Sequence, residues 1–90
     1  HGGFLAAAAE KCLFLPLYLH GQLERNGVVT INFELQYVQQ VDPMIDLLAR
    51  VSLVHQTGRL AFVRGELAQG DKIAVTFSGT LRKLSHAAVR

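Results

Sequence analysis

Two hydrophobic rhythms divide the chain. From Phe4 to Leu19 apolar residues run almost unbroken, with Glu10 and Lys11 the only charges and four consecutive alanines at 6–9. Alanine and leucine favour the helix, and an apolar surface nearly all round predicts a helix over residues 4–17 that is buried on most sides. Gly2-Gly3 lets the backbone bend tightly ahead of it and leaves free N–H groups at its N-terminus. Pro16 should kink the last turn or end the regular helix. Residues 20–27, with Gly21 and Asn26-Gly27, read as a loop.

Beyond the loop the period drops to two. Across residues 29–39, Ile31, Phe33, Leu35 and Tyr37 share one face while Thr30, Asn32, Glu34 and Gln36 share the other. Across 46–56, Leu47, Ala49, Val51 and Leu53 alternate with Leu48, Arg50, Ser52 and Val54. A strand over 59–68 follows the hairpin signal Thr57-Gly58, and one over 72–84 follows Gln69-Gly70-Asp71. That last strand puts Ile73, Val75, Phe77 and Leu81 on one face and Thr76, Ser78, Thr80 and Arg82 on the other. Asp42-Pro43 connects the first two strands, and residues 85–90 form a polar tail. The expected architecture is α+β: one long helix wrapped by a curved, four-stranded antiparallel sheet, in a single domain over 1–90.

Composition narrows the partners. Half of the 90 residues are hydrophobic and 18% are charged. So short and apolar a chain favours a second copy that covers part of its surface. The net charge of +2 comes without a basic run or interleaved aromatics, so nucleic acid is not an expected partner. A lone cysteine, Cys12, excludes an internal disulfide and suits a reducing compartment, hence the cytoplasm. His1, His20, His55 and His86 are scattered without zinc-type spacing, so no metal is expected. The apolar stretch lacks a basic leader, contains Glu10-Lys11 and Pro16, and is short for a bilayer span, which argues against targeting or membrane insertion.

Glu10 is the residue that asks for a function. Burying an unpaired carboxylate costs several kcal/mol. Lys11 can extend its stem to water, but Glu10 is too short to reach far. It therefore faces a wet pocket or meets a partner, and it marks a candidate active site. The structural alternative is a carboxylate paired with Lys11, an arginine or a helix terminus.

His1-Gly2-Gly3, followed by an acidic residue at Glu10 on the helix, resembles the hot-dog-fold acyl-CoA thioesterases, most closely the phenylacetyl-CoA and 4-hydroxybenzoyl-CoA type. In that family an HGG loop leads into the central helix, which carries an Asp or Glu at this spacing. Val29–Tyr37 is similar to the family's strand after the helix, Asp46-Leu47-Leu48-Ala49-Arg50-Val51 to the next strand, and Thr57-Gly58-Arg59-Leu60-Ala61 to its hairpin. Gly79-Thr80-Leu81 resembles the closing strand, so the likeness runs from Gly2 to Leu84. Two departures stand out. The family's first, edge strand before the glycine loop is not matched, and Phe14 occupies the place, one turn after Glu10, where some members have a hydroxyl residue.

The resemblance implies thioester hydrolysis. The Gly2 N–H, with Gly3 beside it, would bind the thioester oxygen, while Glu10 acts as general base or nucleophile. Leu13 and Phe14 would line the acyl pocket, against the simpler reading of core residues. CoA would enter as part of the substrate and not as a retained cofactor. Spacing adds an independent argument: residues 2 and 10 lie about two helical turns apart, roughly 12 Å of rise. One carbonyl and its water do not bridge that within a subunit. Two antiparallel helices at a two-fold axis would bring Glu10 of one chain near Gly2 of the other, so a homodimer or a dimer of dimers is expected. The rival readings are a non-catalytic or degenerate hot-dog domain that binds acyl thioesters or serves in assembly, and a hot-dog dehydratase or hydratase, which normally needs a His on the helix. Arg50, Arg59, Arg64, Arg82 and Lys83 are candidate contacts for a CoA phosphate but individually read better as solvated charges. Cys12 reads as core filler.

Overall fold

A computed structural model describes residues 2–19 and 27–84, without the side chains of Tyr18 and Leu19. The expected roles of His1, His20, His86, most of the loop at 20–27 and the tail at 85–90 lie outside the described residues. The chain forms helices α1 (Gly2–Cys12) and α2 (Leu15–Leu19), then strands β1 (Val28–Tyr37), β2 (Leu48–Gln56), β3 (Leu60–Gln69) and β4 (Lys72–Lys83).

The single helix expected over 4–17 starts earlier and is broken at Leu13-Phe14. Pro16 explains the position of the break. Its ring would collide with the carbonyl four residues back, that of Cys12, and it has no N–H to offer. α1 accordingly stops at Cys12, closed by the tighter i→i−3 bonds of a 3₁₀ turn: Leu13 N–H to the Glu10 carbonyl at 3.2 Å and Phe14 N–H to that of Lys11 at 3.3 Å. Pro16 then falls in the first turn of α2, where a missing N–H is tolerated.

Only one stripe of the helical segment is covered. Leu5, Ala9, Leu13 and Leu17 recur every fourth residue and are all buried, whereas Phe4, Ala7, Lys11 and Leu15 face solvent. The expectation of a helix buried on most sides is thus not met within one chain. A single sheet contacts a single helix face, and the described residues supply no second layer over the other.

The sheet is antiparallel throughout, in the order β1-β4-β3-β2. Its inner face presents Ala61, Val63, Leu67, Val75, Phe77 and Leu81 to the helical stripe. Gly79 allows the close approach of the helical segment, and Gly65 makes room for the ring of its cross-strand partner Phe77. A Cβ on Gly79 would stand 2.6 Å from the Leu13 Cδ1, and one on Gly65 would collide with the Phe77 ring. Leu13 is seated directly on Gly79, which fixes how α1 lies across the sheet. The β3–β4 turn depends on Gly70, whose φ of +62° suits a residue without Cβ. The β2–β3 turn is held by Thr57, whose hydroxyl accepts from Arg59 N–H at 3.2 Å and Leu60 N–H at 2.9 Å.

β1 departs from simple alternation. Pairing steps from Thr30↔Leu81 to Asn32↔Thr80, leaving Ile31 as an extra residue in a bulge. Val28 packs inward before the bulge and Phe33 and Leu35 after it, while Ile31 is 55% exposed. Ile31 therefore does not share a face with Phe33 and Leu35 as strict alternation predicts. The outer face of the sheet is mixed: the Arg50–Glu66 ion pair at 2.7 Å crosses between β2 and β3, while Val29, Ile31, Leu48 and Val54 are exposed strand residues.

Candidate active site

The first turn of α1 carries the glycine pair. Its N–H groups have no acceptor within the helix, they sit at the positive end of the helix dipole, and no acidic residue of that turn competes for them. Beside Gly2 opens a recess of about 530 Å³ whose lining includes Leu5, Tyr37, Val38, Val41 and Pro43. A backbone donor set at one end of a largely apolar recess suits a carbonyl or carboxylate attached to an apolar group.

The far wall of the recess is the segment after β1, and it is firmly tied down. Val38 N–H donates to the Ala74 carbonyl at 2.8 Å, and the Gln39 side chain donates to the Ile73 carbonyl at 3.1 Å. Gln69, buried at the end of β3, does more. Its Nε2 donates to the carbonyls of Asp42 (2.7 Å) and Ile45 (2.8 Å), and its Oε1 accepts from Asp42 N–H at 3.0 Å. The Asp42 carboxylate caps the same turn by accepting from Met44 N–H at 2.9 Å. Neither Gln69 nor Tyr37, whose hydroxyl donates to the Gly2 carbonyl at 2.7 Å, was marked as a site residue by the sequence. Both act on backbone groups far away in the chain, a relation that leaves no local signature.

Glu10 lies at the other end of the same unbroken helix and is exposed. Eight residues separate it from Gly2, a rise of about 12 Å, so the two do not converge within one chain. Among the described residues no hydrogen bond or ion pair engages its carboxylate, neither from Lys11 nor from an arginine. Leu13 is fully buried on Gly79 and offers no surface to a substrate; that is a core position. Phe14 is half-buried beside it at the helix break. Burial pushes the Cys12 thiol up.

Of the basic candidates, Arg50 is committed to Glu66 and Lys83 donates to Gln56 at 2.8 Å. Arg64 and Arg82 are exposed strand charges, and Arg59 is exposed in the β2–β3 turn. No group of three metal-ligating side chains occurs among the described residues, and no described helix is long and apolar enough to cross a membrane.

The sequence profile of the thioesterase superfamily matches residues 1–76. The chain belongs to that superfamily. Among solved structures it is similar to the TT0310 protein from Thermus thermophilus, at 27% identity and a TM-score of 0.79, covering 93% of this chain and 68% of the other. A mutant of the phenylacetic acid degradation protein PaaI from the same organism matches at 25% identity and 0.70, covering 93% and 69%. The BH2602 protein from Bacillus halodurans, solved with CoA, matches at 24% and 0.73, over 94% of this chain. The chain spans 56% of the length of that protein. Comparison with curated proteins finds no match. The helix and four-stranded sheet are those of the hot-dog fold, as the glycine loop and strand order imply.

Proposed function

We propose that the chain hydrolyses acyl-CoA thioesters at a site shared between two copies, each supplying one half. The observation that carries this reading is the separation of Gly2 and Glu10 along α1, with both exposed, the Glu10 carboxylate bonded to no described side chain, and Tyr37 engaging the Gly2 carbonyl but not its N–H. The unpartnered helix face adds support: Phe4 is 69% exposed, and Leu15 lies in the open beyond the break. A second α1 running antiparallel across a two-fold axis would cover that face and set the Glu10 carboxylate of one protomer beside the Gly2 amide of its partner.

In such a site the thioester oxygen accepts from the Gly2 N–H, with Gly3 adjacent, at the positive end of the helix. Glu10 takes a proton from water, and the hydroxide adds to the carbonyl carbon. The resulting oxyanion is held by the same amide hydrogens. Its collapse breaks the C–S bond, CoA leaves as the thiol with the proton from Glu10, and the carboxylic acid remains. The alternative route, direct attack by the carboxylate, passes through an acyl anhydride on Glu10. Phe14, at the helix break, would border the acyl group. The CoA bound to the Bacillus halodurans protein and the likeness to a phenylacetic acid degradation protein guide the choice of test substrates.

The test is CoA release from short-chain, aryl and long-chain acyl-CoAs by the wild type and Glu10→Gln. Loss of about 10²-fold or more in kcat, the range of a general base, supports the reading. Equal turnover by the variant, or no release from any substrate by a folded dimer, contradicts it. The second result would leave a binding or assembly role.

A further inference from the structure

We infer that Tyr37 is a positioning residue for the amide groups that receive the thioester oxygen, a reading that rests on the proposed hydrolase. Its hydroxyl reaches across from the end of β1 to the Gly2 carbonyl at 2.7 Å, a contact between residues 35 apart in sequence. That carbonyl and the Gly3 N–H belong to one planar trans peptide, so holding the oxygen in one direction holds the hydrogen in the opposite one. The Gly2 N–H is only one pair of torsions further away. Two successive glycines at a helix terminus have the widest conformational freedom of any dipeptide. Without a tether, the first-turn amides would sample a broad range of directions. Oxyanion stabilisation depends on donors that are already aimed, and a misplacement of about 1 Å can cost on the order of 10²-fold in rate.

Tyr37 is well placed to impose that aim. It pairs with Val75 in the β1–β4 ladder, and the residues directly after it are bonded to the carbonyls of Ala74 and Ile73. The tether therefore runs from the sheet and not from a loop. It also fits glycine closely, since a Cβ at Gly2 would come within 3.3 Å of the Tyr37 oxygen. The same ring forms one wall of the recess, so a single side chain sets both the donor direction and the distance to the apolar surface.

Tyr37→Phe keeps the ring and removes only the hydroxyl. The expected result is a kcat lowered about 5- to 30-fold with KM moved less than about twofold, the signature of an interaction used in the transition state. A ¹⁵N correlation spectrum should keep its native dispersion, while relaxation shows the Gly2 and Gly3 amides loosened. A purely structural contact would shift the melting temperature without this split between kcat and KM. Tyr37→Phe turning over like wild type, with Glu10→Gln inactive, overturns the inference and leaves the hydrolase reading intact. Unaltered glycine amide relaxation in Tyr37→Phe also overturns it. Hydrolysis retained by Glu10→Gln, or absent from the wild type, removes the reading itself and the inference with it.

Discussion

Gln69 is a single side chain with three backbone partners, two of them carbonyls on a loop 24 and 27 residues away. Replacing it with Leu keeps the bulk but removes three hydrogen bonds to a partly exposed loop, whose freed groups can turn to water. Each such bond is worth about 0.5–1.5 kcal/mol net, so Gln69→Leu should lower the melting temperature by roughly 5–15 °C. Calorimetry checks this, and an unchanged midpoint would mean that the loop is held by other contacts. Cys12 gives a second test. Burial lifts its thiol above the ordinary range, so less thiolate forms near neutral pH in the folded chain than in the unfolded one. Labelling by a disulfide reagent should be slow at pH 7–8 and speed up sharply in denaturant. A folded pKa raised above the unfolded value contributes stability that is full below the unfolded pKa, about 8.5, and is lost as pH rises through the folded one. The contribution of Cys12 to stability should therefore be lost on the alkaline side, a loss that Cys12→Ala removes from the measured pH profile. Glu10 and the glycine pair stand out in the sequence as candidates, because a carboxylate in an apolar run and two glycines opening a helix are local anomalies; their roles are those the activity tests address. Tyr37 and Gln69 were not legible: a tyrosine in an alternating strand and a glutamine at a strand end are ordinary until the fold brings a carbonyl to them.

At the scale of elements, the alternation of apolar and polar residues located four strands and the turn residues located their hairpins, since both follow from local chemistry. The bulge at Ile31 escaped that reading. Ile31 continues the alternation on paper, but Gly79 and Leu81 on the neighbouring strand dictate which of its residues face inward. Deleting Ile31 should remove the bulge and force a choice. Either Val28 or the pair Phe33 and Leu35 must turn to the outer face, because a one-residue slip exchanges the two faces of a strand. The deletion is expected to abolish cooperative unfolding or prevent soluble expression, whereas Ile31→Thr, at an exposed position, should be nearly neutral. A cooperative, native-like deletion variant would mean that the bulge carries no register. Pro16 was legible as a breaker, but the break falls at Leu13-Phe14, upstream of the proline, because the clash is with a carbonyl one turn back. Leu13, read as pocket lining, is instead the residue that Gly79 makes room for, a pairing visible only once helix and sheet are stacked.

For the molecule as a whole, the central feature is α1, whose inner stripe is buried and whose outer face carries Phe4 and Glu10 in the open, with Leu15 exposed beyond the break. Its two candidate chemical groups are about 12 Å apart along that helix. A shared site makes a strong demand on mixtures of inactive subunits. Gly2→Pro removes the amide hydrogen at a helix start and also crowds the Tyr37 hydroxyl, which disables the donor half, and Glu10→Gln removes the base. In a mixed dimer one site would combine two mutated halves, and the other would combine the intact Gly2 of one protomer with the intact Glu10 of its partner. The decisive measurement is acyl-CoA hydrolysis by each variant alone and after the two are dissociated, mixed one to one and allowed to re-pair. A site shared across the two-fold axis gives two inactive proteins whose mixture recovers about a quarter of wild-type activity, since half the dimers are mixed and each of these has one working site. A mixture as inactive as its components, with mixed dimers demonstrably formed, would contradict the shared site.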